Sequence, residues 1–141
     1  MDIVDSVTRS RMMAAVRQRD THPEMTVRRA LHAAGLRYRL QRRDLPGYPY
    51  IVFPSRKTAI FVHGCYWHRH NNCKYASTPS TRIDFWQAKF RANIKRDQSA
   101  MKALQLSGWR VLVVWECESR DPIFVNRFVK QLLRLKRQSA R

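Results

Sequence analysis

The chain has 141 residues, 44% of them hydrophobic, with four Trp, five Tyr and six Phe, which is enough apolar material for one folded domain and excludes a disordered protein. Its 28 Lys and Arg against 10 Asp and Glu leave a formal charge of +18, so the expected partner is a polyanion, nucleic acid by default. With no apolar run near the roughly 20 residues of a membrane span and an odd three cysteines, a membrane protein and a disulfide framework are both disfavoured, and a cytoplasmic location is expected.

In chain order, Ser6 can cap a short basic amphipathic helix running to Val16, too charged for a core element. Thr21 to Glu24 spells a capping box with Pro23 in the first turn, and Val27, Ala30, Leu31 and Ala34 carry a helix to Gly35. Leu36 to Leu40 reads as a strand, Leu45-Pro46-Gly47 as a turn, and residues 50–53 and 58–63 as a hairpin across Pro54 to Lys57. From His63 to about Thr81 the chain is irregular and rich in His, Cys, Asn and Lys. Such a long loop needs something to order it. Ile83, Trp86, Phe90, Ile94, Met101 and Leu104 then mark one buried helical stripe, with Asp97 on its missing step. Gly108 closes that helix. Trp109 to Trp115 is apolar enough for a sheet centre, and Asp121-Pro122 opens a last helix with Phe124, Phe128, Leu132 and Leu135 on one face.

Three of these features carry chemistry. Cys65, His70, Cys73 and Cys117 can supply four tetrahedral ligands to zinc from one knuckle and one remote strand end, which would pin the long loop; the alternative is a buried apolar Cys117 and incidental loop cysteines. Asp97, a carboxylate on an apolar stripe, needs a partner, since burying a lone charge costs several kcal/mol; Arg110 is one choice, a histidine another. His68 can be a base, an exposed loop residue or a zinc ligand in place of His70.

Pro49-Tyr50-Ile51-Val52-Phe53, the turn after it, Phe61 to Cys73, Phe85-Trp86, Arg96-Asp97 and Gly108 to Cys117 together resemble the very short patch repair endonucleases, over about Asp5 to Glu118. The resemblance implies an α/β restriction-endonuclease-like fold, a mixed central sheet flanked by helices with one structural zinc site, as a single domain over 1–141 whose residues 1–20 form a mobile DNA-contacting helix. It implies nicking 5' to the thymine of a T:G mismatch left by 5-methylcytosine deamination, through magnesium-dependent phosphodiester hydrolysis. The magnesium ligands would be a carboxylate at position 50 and the backbone carbonyl of Val62. Position 50 is a tyrosine here, a poor substitute because its hydroxyl is neutral below a pKa of about 10. Asp44 is near in sequence, but the turn after it points it away.

By the same resemblance Asp97 pairs with His63 and favours its protonated form, His68 is the base that activates water, and Glu24 holds water around the metal, besides closing its capping box. Tyr66, Trp67 and Trp86 would enter the duplex beside the mismatch, although Trp86 also fits plain core packing, and Arg9, Arg11, Met12 and Met13 would approach from the opposite groove. The implied partners are double-stranded DNA carrying the mismatch, the mismatch-repair protein MutL and, functionally, a cytosine methyltransferase; the chain is expected to act as a monomer. Because of Tyr50, the expectation for this chain is impaired catalysis, with a catalytically inactive mismatch-binding protein as the second reading. A zinc-stabilised ribosomal or RNA-binding protein is a third and predicts no preference for mismatched duplex.

Overall fold

Thr21 and Glu24 form the expected capping box at the start of α1 (His22–Ala33): Glu24 N–H donates to the threonine Oγ1 at 3.5 Å and Thr21 N–H donates to the glutamate Oε1 at 2.9 Å. The computed structural model describes residues 20–77 and 79–135; the helix expected over 6–16, with Arg9, Arg11, Met12 and Met13, lies outside them. Beyond α1 come β1 (Arg39–Leu40), β2 (Ile51–Phe53), a single 3-10 turn (Pro54–Arg56), β3 (Thr58–His63), α2 (Ile83–Leu106), β4 (Arg110–Trp115), the short α3 (Glu116–Ser119) and α4 (Pro122–Arg134).

The first strand is shorter than its sequence promises because Leu36 is used to end the helix before it. Leu36 N–H donates to the Leu31 carbonyl at 3.1 Å and Gly35 N–H to that of His32 at 3.0 Å, the two bonds of a Schellman motif, with Leu31 and Leu36 both buried in one cluster. The same pattern ends α2, where Trp109 bonds back to Leu104 and Gly108 to Gln105. Each helix thus hands a buried apolar residue directly to the segment leading into a strand.

The sheet has the order β1-β2-β3-β4, with β1/β2 and β2/β3 antiparallel and β3/β4 parallel. It is mixed, as the resemblance implied. β4 is an edge strand among the described residues, which corrects the reading of its apolar run as a sheet centre. The run reflects cover on both faces. Leu112 and Val114 join Ile51, Phe53 and Ile60 in a cluster completed by Val27 and Leu31 of α1 and Phe128 and Leu132 of α4. On the other face Val111 and Val113 join Val52, Ala59 and Phe61 under Met101 and Leu104 of α2. A side-chain period of two sends alternate residues to opposite helical layers, and each leucine fully buried there contributes about 2 kcal/mol.

α2 departs from its sequence reading along its N-terminal half. Phe90 and Leu104 are fully buried, but Ile83 is 46% exposed and Trp86, Ile94 and Met101 are only half-buried. The reason is that the first turns of α2 lie on the 64–81 loop rather than on the sheet: Trp86 meets Trp67, Phe90 meets Tyr66, and Asn93 Nδ2 donates to the Trp67 carbonyl at 3.4 Å.

The turn before β2 is wedged beneath α2. Gly47 has φ +75, and a Cβ added there would stand 2.7 Å from the Ala100 Cβ and 3.1 Å from the Phe61 ring, so neither the backbone angle nor the space admits a side chain. Gly47→Ala should lower stability by about 2–3 kcal/mol through overpacking and strain, read as a shifted urea midpoint with unchanged slope; an unmoved midpoint would mean that this turn does not bear on α2.

Candidate active site and metal centre

Because β3 and β4 run parallel, with His63 opposite Trp115, their C-terminal ends open side by side. Two residues further along each strand stand Cys65 and Cys117. The loop after β3 folds back so that His70 N–H donates to the Cys65 carbonyl at 3.0 Å, bringing the His70 ring between them. His70 Nδ1 lies 3.7 Å from Cys65 Sγ and 3.4 Å from Cys117 Sγ, and the ligand atoms of Cys65, His70, Cys73 and Cys117 all fall within 4.8 Å of one another. Tetrahedral zinc, with bonds of about 2.3 Å to sulfur and 2.0–2.1 Å to nitrogen, sets such ligand atoms about 3.6 Å apart. The donor set fits zinc, and the four residues are those chosen from the sequence.

Burial pushes the Cys65 thiol up to about 12, the bonds with Cys117 adjusting it in both directions, and burial also raises Cys117. Burial would raise Cys73 too, but the Tyr75 backbone N–H and the neighbouring thiols outweigh it and move that group down. A bound cation is what ionises such a cluster. Two unexpected residues hold the surrounding backbone. Arg69 donates to the carbonyls of Tyr66, Ser77 and Ala76 at 3.2, 3.0 and 2.8 Å and lies 4.1 Å over the Phe90 ring. Glu116 Oε1 accepts from Cys65 N–H at 3.4 Å.

Beside this centre His63, only 5% exposed, stacks face to face on His68, with centroids 3.9 Å apart and planes 5° from parallel. Asp97 reaches this pair from α2, but it bonds His68, Nδ1 to Oδ2 at 2.6 Å, and not His63 as the resemblance had implied. The expectation of a protonated His63 is corrected as well. Burial first, then the charge of His68, drives its pKa down to about 4 against the opposing pull of Asp97, so His63 is a neutral imidazole at neutral pH. With Nδ1 against the carboxylate, the other ring nitrogen of His68, Nε2, is turned away from Asp97. The ligand atoms of His63, His68 and Asp97 are close enough to suit a metal, but ring-nitrogen lone pairs lie in the ring planes, and two parallel planes do not converge on one ion. Proton transfer is the chemistry this group supports.

Position 50 faces a different set of residues. Tyr50 is buried, its carbonyl accepts from Gln41 N–H at 2.9 Å, and its hydroxyl bonds the Asp20 carboxylate and, at 3.3 Å, Arg28 Nη1. Arg28 also pairs with Asp20 at 2.9 Å. Burial is the main cause that raises the phenol to about 12, so it stays neutral. Glu24 keeps its carboxylate on Thr21; burial raises its pKa against those bonds. Asp44 is taken by Arg42 in a two-point pair at 2.7 and 2.6 Å. Val62 is half-buried near the end of β3, and continuing the β2/β3 register sets it opposite Pro49, one residue from position 50.

A run of aromatic rings borders the histidines. Tyr66 meets Trp67 edge-on at 5.0 Å and Phe90 at 5.4 Å, and Trp67 leans on Trp86 at 6.1 Å. Lys89 Nζ stands 5.4 Å over Trp67 and 5.7 Å over Trp86. Trp86 is half-buried, packed on Trp67 and Phe90, and the neighbouring Phe85 is 46% exposed.

The profile of the DNA mismatch endonuclease Vsr matches residues 1–74, more than half of the chain. The chain belongs to that family. It is 52% identical over 110 residues to the Type II nicking enzyme V.XorIIP of Xanthomonas oryzae, covering 78% of this chain and 80% of the relative. It is 43% identical over 119 residues to the DNA mismatch endonuclease Vsr of Escherichia coli, covering 84% and 76%, and 35% identical over 133 residues to the Type II nicking enzyme V.NmeAIP of Neisseria meningitidis, covering 94% of both. This is a family of DNA-nicking hydrolases, and in this chain one loop after β3 contributes His68 to the pair with Asp97 and Cys65, His70 and Cys73 to the Cys3His cluster.

Trp115, Arg69 and Glu116 have structural parts here that the sequence reading did not assign. Glu116 could have been found from its place beside Cys117, and Arg69 as a large cation inside a loop that must be ordered. Cys117→Ser should lower bound zinc from one ion per chain and bring down the melting temperature, because the loop and the β4 end lose their common anchor; elemental analysis finding no stoichiometric zinc in the unaltered protein would refute the ligand assignment.

Proposed function

We propose that this chain recognises a T:G mismatch in double-stranded DNA, directs hydrolysis to the phosphodiester 5' to the thymine, and in its present form binds far better than it cuts. The observation that carries the reading is the His68–Asp97 bond of 2.6 Å on the loop that also bears Tyr66 and Trp67. A base held in one orientation beside half-buried aromatic rings joins chemistry to the place where paired bases part most easily. The charge of +18 supplies attraction to the phosphate backbone without regard to sequence.

In the proposed step His68 Nε2 takes a proton from a water as its oxygen forms a bond to phosphorus, and the bond from phosphorus to the leaving sugar oxygen breaks, that oxygen taking a proton from solvent. Asp97 fixes the His68 tautomer and stabilises the imidazolium that results. His63, buried and neutral, supplies a flat face that holds the ring of His68 in place. Zinc at Cys65, His70, Cys73 and Cys117 would order the loop that carries His68 and lies far from needing to touch the phosphate.

Magnesium does not fit the residues at position 50. It wants hard, anionic oxygen in near-octahedral array, whereas the side chain present is a neutral phenol within 3.3 Å of a guanidinium. No step is routed through it, and without a Lewis acid the developing charge on phosphate goes largely uncompensated, which costs several kcal/mol. This supports slow cutting. An inactive mismatch-binding protein is the limiting form of the same reading, and the observation that favours it is again the engagement of the Tyr50 hydroxyl by Asp20 and Arg28.

Tyr50→Asp should establish magnesium-dependent nicking of a T:G duplex, faster than the unaltered chain by orders of magnitude, and His68→Ala in that background should abolish it. If the unaltered chain nicks as fast as Tyr50→Asp at equal magnesium, position 50 is not the defect. Tyr66→Ala and Trp67→Ala should each weaken binding to mismatched duplex by about 1–3 kcal/mol, roughly ten- to a hundredfold, with a smaller loss on matched duplex. Equal losses on both duplexes in a binding titration would remove these rings from recognition.

A further inference from the structure

The Cys3His centre and the His68–Asp97 pair are joined by two side chains, Trp115 and His63. The His70 ring lies over Trp115 with centroids 4.3 Å apart and planes 12° from parallel. Trp115 in turn meets His63 at 5.2 Å and 74°, edge to face, and His63 lies flat on His68. The stack ends at Asp97, 2.6 Å from His68 Nδ1.

We propose that Trp115 is a positioning residue: its ring carries the constraint of the Cys3His centre through His63 to His68, so that the ion held by His70 sets the aim of His68 Nε2. The inference rests on the reading of His68 as the base. Three features support it. Trp115 is anchored from behind, since its backbone N–H donates to Glu118 Oε1 at 2.9 Å and its strand is locked in register opposite His63. His63 is buried against Trp115, Phe61 and His68, so a shift of the indole has to be passed on or absorbed as a void. The stack alternates parallel contacts, His70 on Trp115 and His63 on His68, with the edge-to-face contact of Trp115 on His63, the two arrangements aromatic rings prefer, and tilting His63 out of them would swing His68 off the Asp97 oxygen. A misplacement of about 1 Å can cost on the order of a hundredfold in rate.

The test uses the full zinc-loaded chain, with nitrogen chemical shifts and tautomers of the histidine rings read by NMR, and the variants Trp115→Phe and Trp115→Leu. In the unaltered chain His68 is expected as the Nδ1–H tautomer; any other tautomer would sink the reading of His68 as the base, whatever Trp115 does. Replacing zinc by cadmium, a larger ion that thiolates also hold, should shift the His68 ring nitrogens in the unaltered chain and shift them less in Trp115→Phe, whose smaller ring fills the stack only in part. In Trp115→Leu the cadmium shift should vanish at His68 while persisting at His70. Should Trp115→Leu fail to fold, a cadmium shift at His68 that is smaller in Trp115→Phe than in the unaltered chain still supports the coupling. Retention of the full shift at His68 in Trp115→Leu, or in Trp115→Phe if that alone folds, would overturn it, as would a cadmium exchange that leaves His68 unmoved in the unaltered chain. A packing role alone would lower the melting temperature of Trp115→Leu without altering the response of His68 to the metal.

Discussion

The parallel pairing of β3 with β4 is the constraint on which the site depends. It sets His63 opposite Trp115 and makes both strands end at the same level, so that each chain continuation delivers a cysteine to one point two residues later. An antiparallel pairing would send Cys65 and Cys117 to opposite ends of the sheet. Parallel strands need a long crossover, and here the crossover is the loop and α2, which carry His68, His70, Cys73 and Asp97. The connection that the topology requires is thus the segment that carries both His/Cys clusters, and a metal bound at its root would offset the entropy of ordering it.

Around that point the chain separates two kinds of chemistry that a metal-assisted hydrolase would combine. The histidine and carboxylate side comprises a buried His63, a His68 stacked on it, and Asp97 of α2 bonded to His68. On the other side, position 50 itself offers a phenol in place of an anionic oxygen, and the carboxylate bonded to it, Asp20, is paired with Arg28. The recognition we propose, which relies on rings, cations and loop order, does not draw on this second cluster.

Much of this was legible in the sequence where a local rule decides. The capping box at Thr21 and Glu24, the Asp121-Pro122 start of α4 and the helix ends at Gly35 and Gly108 are set by bonds within a few residues, and they stand as read. The four metal ligands were readable because few other residues could order so long a loop. Pairings between elements were less so. Asp97 could be seen to need a partner, but which histidine it meets depends on how the 64–81 loop folds back, and stacking puts His68 outermost. The place of β4 was misjudged because an apolar run reports cover on its faces and not neighbours at its edges. Trp115 gave no signal apart from being one more apolar residue, since its part lies in ring geometry across three elements.

The separation of binding from cutting is the central claim, and one sample can measure both. Labelled T:G duplex is mixed with an excess of the zinc-loaded chain and magnesium, and bound and nicked fractions are followed together over time. The account predicts that the duplex is bound within the first moments, in preference to matched DNA, while the nicked fraction lags by at least about a hundredfold in rate, as the loss of several kcal/mol of transition-state stabilisation requires. Nicking that keeps pace with binding would contradict it.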